Sequence, residues 1–283
     1  MAGLLKGLEV TKAMKEEMFV EVEKLNSIGI TPTLGIIRVG ARPDDLSYEK
    51  GAIKRCESVG VKVKVFELAE DISQEELEHK IKEVNNDNLI HGILVFRPLP
   101  SHLSEESIKS LISPEKDIDC MNPVNIAKVF AGDESGFAPC TPEAVIEILD
   151  YYNIPIQGKN VVVIGRSMVV GKPLSMLLLK RNATVTICHT KTKNIKDIAK
   201  NADILVAAAG KANMITRDYI STGTIVIDVG INVDEEGNLC GDVNFKSAEE
   251  VADKITPVPG GVGTVTTFVL VKHVIRATKL INL

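Results

Sequence analysis

The residue types best suited to chemistry fall in two short stretches. VVVIGRSMVVGKP (161–173) sets Gly165 after a run of strand-forming residues and Gly171 at the head of an amphipathic segment. That is where an open α/β sheet binds phosphate, through a tight turn and free helix N–H groups. The spacing is not GxGxxG, and alone it fits an ordinary βα turn equally well. The stretch after the next strand, CHTKTKN (188–194), sharpens the reading. A site for NAD carries Asp or Glu about 20 residues beyond the glycines, to accept from the ribose hydroxyls. Here no carboxylate stands there; Thr190, Lys191, Thr192 and Lys193, with Arg166 in the glycine loop, offer hydroxyls and positive charge. A 2′-phosphate suits that set, so it favours NADP over NAD. A solvated surface face stays open as the alternative for Lys191 and Lys193.

Other chemistry is not signposted. Cys56, Cys120, Cys140, Cys188 and Cys240 are widely spread, with no CxxC pair and no Cys/His cluster at ligand spacing. No metal is expected, and the cysteines read as reduced thiols of a cytoplasmic protein. The opening MAGLLKGLEVTKAMKEEMF lacks the apolar core of a signal peptide and reads as a mature N-terminus. A net charge of -5 and an aromatic content of 4% without tryptophan argue against nucleic acid as a partner. No stretch approaches the roughly 20 apolar residues of a membrane span.

These residues need a frame. The 283 residues, 45% hydrophobic and 25% charged, suffice for two α/β domains. Apolar spacing predicts a helix over 7–27, then strands at 33–39, 62–67 and 90–95 alternating with helices at 47–59 and 74–85. Residues 114–142 are irregular and rich in Asp, Pro and Gly. A helix over 142–152, capped by Thr141, leads to a second alternation. Its strands are expected at 160–164, 184–188, 204–207 and 224–229, and its helices at 172–180 and 195–201. Such alternation implies right-handed crossovers and a mainly parallel sheet in each unit. A long apolar helix, 266–280, closes the chain and is expected to return to the first domain.

Ten segments in order resemble one family over essentially the whole length. They are SYEKGAIKRCESVGV (47–61), HGILV with RPLP around position 96 (91–100), PEKDID (114–119), PCTPEA (139–144), GRSMVVGKP (165–173), ATVTICHTKT (183–192), ADILVAAAG (202–210), VIDVGIN (226–232), GDVNF (241–245) and ITPVPGGVGTVT (255–266). The family is the bifunctional methylenetetrahydrofolate dehydrogenase/methenyltetrahydrofolate cyclohydrolases of one-carbon metabolism. The resemblance implies an N-terminal α/β folate-binding domain, 1–146 with 266–283, and a Rossmann-like NADP-binding domain, 147–265, with a cleft between them. It also implies a homodimer and tetrahydrofolate as substrate carrier. Position by position, Tyr48 matches the active-site tyrosine that stacks on the pteridine, and Asp119 the aspartate that takes the paired N–H donors of the pterin. Val95, Pro98, Pro257, Gly260 and Gly261 match the folate-lining positions. Gly165, Arg166, Ser167, Thr190 and Ile231 match the cofactor contacts.

The departures from the family pattern cluster. A lysine four residues after the tyrosine, and a glutamine in VQLPLP, serve the cyclohydrolase step; here they are Ala52 and Phe96. Lys50 and Lys54 lie about 200° around the helix from position 52 and face elsewhere. Cys120 stands where glycine is usual, and GTVT (263–266) replaces GPMT. Oxidising 5,10-methylenetetrahydrofolate moves no proton to or from the protein, whereas hydrolysing the methenyl product requires water to be deprotonated and an amine protonated. The expectation is an NADP-dependent dehydrogenase with cyclohydrolase activity weak or lost. The alternatives are full bifunctionality, with Arg97, Lys50 or a bound water in the lysine's role, and a non-catalytic module that binds folate or nucleotide without turnover.

Overall fold

The structure, a computed structural model, describes residues 2–283. A two-residue strand, β1 (Gly3–Leu4), leads into α1 (Gly7–Ser27). Val10, Met14, Met18, Val22 and Leu25 of α1 are buried, the three-to-four spacing that gives a helix one apolar stripe. Its end is closed by Gly29 at φ 82, where Ile30 N–H donates to Leu25 O. There follow β2 (Thr33–Val39), α2 (Pro43–Glu57), β3 (Lys62–Leu68), α3 (Gln74–Asn86) and β4 (Gly92–Val95). The helix α2 starts four residues earlier than the apolar pattern suggests, because Pro43 suits a first helical turn. Ser73 and Glu76 form a reciprocal capping box at the head of α3.

A short helix, α4 (Glu105–Lys109), precedes the expected irregular stretch of 114–142, which itself contains α5 (Pro123–Ala131). Asn122-Pro123 resembles a turn in the sequence, yet it caps and starts α5, and Gly132 at φ 71 ends it. The next helix, α6 (Cys140–Tyr151), takes Thr141 and Pro142 inside its first turn, so Thr141 is not its cap.

The second alternation runs β5 (Asn160–Ile164), α7 (Gly171–Lys180), β6 (Thr184–Cys188), α8 (Ile195–Ala199), β7 (Ile204–Ala207) and β8 (Ile225–Asp228). A hairpin of β9 (Asn232–Val233) and β10 (Leu239–Cys240) follows, then α9 (Phe245–Ala248), β11 (Lys254–Ile255) and α10 (Val262–Asn282).

Two parallel sheets result. One has three strands in the order β3-β2-β4, the other six in the order β1-β11-β8-β7-β5-β6. Contacts divide the chain into one unit of 141–266 with the N-terminal residues up to Lys12, and another of 13–140 with 267–283. The expected boundary near 146 leaves residues 1–12 with the first domain; the contacts group them with the second, because β1 pairs with β11 and extends the six-stranded sheet. In that sheet the chain passes from β5 to β6 on one side and returns to β7 on the other. The carboxyl end of β5 is therefore a topological switch point, where open α/β sheets bind ligands. Among the described residues no helix is long and apolar enough to cross a membrane.

Candidate active site

At the switch point the backbone does most of the shaping. Gly165 sits at φ 139, and a Cβ there would lie 2.1 Å from Ala208 O; one on Gly171 would lie 2.1 Å from Gly165 O. Only glycines allow this turn to close against the 208 segment and let α7 begin directly above it. Gly165 N–H donates to Cys188 O at 2.9 Å, so the loops after β5 and β6 leave the sheet side by side. Ser167 Oγ accepts from Val170 N–H at 3.0 Å and fixes the loop. On the β6 side, Thr192 Oγ1 accepts from His189 N–H at 2.9 Å, and His189 Nδ1 accepts from Lys191 N–H at 3.1 Å. His189 Nδ1 and Thr192 Oγ1 thereby brace the turn. Arg166, Thr190, Lys191 and Lys193 remain exposed around it. The cradle admits backbone close to a phosphate and the exposed set is hydroxyl and cation, so the residues present fit a phosphorylated dinucleotide. Ile231 is 66% exposed just before β9.

In the other unit, side chains build the site. Buried Arg38, on β2, donates to Glu49 Oε2 on α2 at 2.9 Å and to Gly40 O, with Glu67 Oε2 of β3 at 3.3 Å. This charge-assisted network fixes α2 over the sheet, and the residue before Glu49 is Tyr48. Tyr48 is 40% exposed as a residue, while its hydroxyl end is desolvated. Burial first, then Cys140 and Asp119, push the phenol well above its ordinary value, so it stays protonated. The ring of Phe96 meets it edge-on, centroids 5.7 Å apart at 76°. Ala52, one turn further along α2, is fully buried. Arg55 lies two turns from Tyr48 on that face, its Nη1 donating to Gly51 O at 2.9 Å.

Asp119 accepts from Cys140 N–H at 2.9 Å through Oδ1, and its Oδ2 lies 3.8 Å from Arg97 Nη2. Buried Asp117 anchors the loop beneath by accepting from Met121 N–H, Asn122 N–H and Asn125 Nδ2. Cys120 holds φ 59 between these anchors, a left-handed conformation that suits glycine. Val95 is buried at the end of β4, so its side chain packs inward; Pro98 is exposed beyond it.

The structure thus brings Tyr48, Phe96, Arg97 and Asp119 into one cluster, and Gly165, Arg166, Ser167 and Thr190 into another. Pro257, Gly260 and Gly261 fall in the unit of the six-stranded sheet. There Gly261 packs so tightly that a Cβ would lie 2.5 Å from Pro257 O. Sequence reasoning missed Arg55, whose position seven residues after Tyr48 was the available signal, and the Arg38–Glu49 lock, which has none.

Fold and site together define an enzyme of two α/β units, one shaped for a dinucleotide. The chain matches the tetrahydrofolate dehydrogenase/cyclohydrolase catalytic domain over residues 5–119 and the NAD(P)-binding domain of the same family over 139–282. It belongs to that family. A bifunctional protein FolD of Clostridioides difficile is 58% identical over 279 residues, 99% of this chain and 97% of that one. Among solved structures, the bifunctional FolD of Campylobacter jejuni superposes with a TM-score of 0.96 at 40% identity, covering 99% of each chain. The Trypanosoma brucei enzyme, solved with NADP and an inhibitor, gives 0.92 at 37% identity over 99% of this chain and 98% of that one.

Proposed function

We propose that this chain oxidises 5,10-methylenetetrahydrofolate to 5,10-methenyltetrahydrofolate with NADP, and that its cyclohydrolase activity is weak or absent. The observation that carries the second half is Ala52, fully buried on the Tyr48 face of α2, where the family's lysine would stand. Phe96 adds to it by presenting a ring edge to Tyr48 in place of an amide.

NADP supplies the hydride acceptor when bound, and the glycine loop with Arg166, Ser167 and Thr190 is proposed to hold it. Tyr48 is a platform and hydrogen-bond donor for the pterin, and Asp119 accepts from the pterin's paired N–H groups. Pro257, Gly260, Gly261, Val95 and Pro98 are proposed as lining, and Ile231 as a backbone contact. None of this asks the protein to carry a proton. Hydrolysis does, and the guanidinium groups of Arg55 beside Tyr48 and Arg97 beside Asp119 do not deprotonate in proteins. Lys50 and Lys54 are exposed and point away from the Ala52 face. The reading also takes the enzyme as a cytoplasmic homodimer.

The names of the relatives favour a second reading, full bifunctionality ending in 10-formyltetrahydrofolate. One preparation decides between them. Methylenetetrahydrofolate oxidation is followed with NADP and with NAD, and methenyltetrahydrofolate hydrolysis is compared with the buffer rate. Turnover in the first and buffer-level decay in the second support the proposal; strong acceleration of hydrolysis supports the alternative.

A further inference from the structure

Two motifs in the dinucleotide unit, VIDVGIN and GDVNF, carry carboxylates that the function above does not use. Asp242 is completely buried and Asp228 is 3% exposed. Asp242 Oδ2 accepts from the N–H groups of Ala209 at 2.5 Å and Gly210 at 2.9 Å. Its Oδ1 accepts from Lys211 N–H at 2.8 Å and from Asn232 Nδ2 at 2.9 Å. Asp228 Oδ1 accepts from Gly230 N–H at 2.9 Å and Asp242 N–H at 3.0 Å, and its Oδ2 from Val243 N–H at 2.9 Å. Buried charge is costly unless its lone pairs are met, and here they are met by chain segments rather than by counter-charges.

The segments are particular ones. Residues 208–211 follow β7, and 229–232 follow β8, at the carboxyl ends of the strands next in order to β5. The first forms the wall against which Gly165 closes, since Ala208 O sits 2.1 Å from where a Gly165 Cβ would be. The second carries Ile231. Space around the clamp is reserved for it: a Cβ on Gly241 would lie 1.9 Å from Asp228 Oδ2, and one on Gly230 2.4 Å from Asp242 Oδ1.

We propose that Asp242, supported by Asp228, is a positioning residue for the dinucleotide. It holds the 208–211 wall and the Ile231 loop in the one arrangement that lets the glycine turn receive the cofactor. This rests on the reading that the β5 loop takes NADP.

The isosteric Asp242→Asn tests it, because either orientation of the amide points an NH2 at backbone N–H donors. The expected result is a rise of about tenfold or more in the KM for NADP and in the dissociation constant for NADPH. The KM for methylenetetrahydrofolate and kcat at saturating cofactor should stay near wild type. Amide exchange without ligand should speed up at 209–211 and at Gly230, while β5 and β7 keep wild-type protection. If the variant does not fold, Asn232→Ala removes a single donor and should raise the NADP KM alone by about threefold. Unchanged NADPH affinity in a variant of a wild type that binds it, or equal rises in both KM values, overturns the inference. A wild type that binds no NADPH overturns the cofactor reading instead, while the exchange result still reports on the clamp.

Discussion

The two clusters are built from different material. At the end of β5 the site is backbone: glycines whose Cβ positions are already filled by carbonyl oxygens, amide donors, and carboxylates that hold them. Around Tyr48 the site is side chains, with the ring of Phe96 against the phenol and the Cys120 thiol beside Asp119 and Arg97. The half proposed to serve hydride transfer asks for shape, and the glycine turn supplies it. The half proposed to serve hydrolysis asks for an ionisable group, and at position 52 this chain has the buried Ala52.

Three changes test that contrast. The largest effect is expected from Ala52→Lys combined with Phe96→Gln, which restores a proton carrier and its amide partner. Methenyltetrahydrofolate hydrolysis should rise by about 10²-fold or more over the wild type, with dehydrogenase turnover kept within a few-fold. No gain would contradict the assignment of the proton step to these two positions.

Next comes the backbone half. Burial, only partly offset by the N–H groups of Val243, Asp242 and Gly230, raises the Asp228 carboxyl from 3.8 to about 6. A raised carboxyl favours the protonated folded state, so its stabilising contribution is full below pH 3.8 and is lost as the pH climbs through 6. Wild type should therefore lose on the order of 2–3 kcal/mol relative to Asp228→Asn between pH 4 and 7. Denaturant unfolding at several pH values checks this, and parallel pH profiles for the two proteins would contradict it.

The smallest effect belongs to Cys120→Gly. Releasing the left-handed strain at φ 59 should stabilise the fold by up to about 1 kcal/mol, after the entropy that glycine restores to the unfolded chain. A loss of more than that on unfolding would show that the buried thiol's packing outweighs its backbone strain.

Much of this was legible in the residues. Thr33–Val39, Asn160–Ile164 and Ile204–Ala207 are apolar runs bounded by breakers, and they appear as strands over those residues. The glycine loop was legible because glycines between a strand and a helix mark a βα turn, though the Ala208 wall against which Gly165 closes left no trace in that stretch. Elements held by distant partners were not. The strand β1 is two residues long and exists through its pairing with β11, some 250 positions away. The helix α5 was hidden by Asn122-Pro123, which spells a turn and a helix start alike. The site residues Tyr48 and Asp119 emerged through resemblance rather than spacing. What the sequence could not display is how Asp228 and Asp242 reach across the strand ends, since seven hydrogen bonds to backbone and amide donors leave no periodic trace.

The proposed function holds that this chain keeps the hydride step and has lost the proton step. It is tested most directly by following methenyltetrahydrofolate in the presence of enzyme already shown to oxidise methylenetetrahydrofolate with NADP. The account predicts that the methenyl species accumulates and decays at the rate of buffer alone. Decay that accelerates in proportion to enzyme concentration would contradict it.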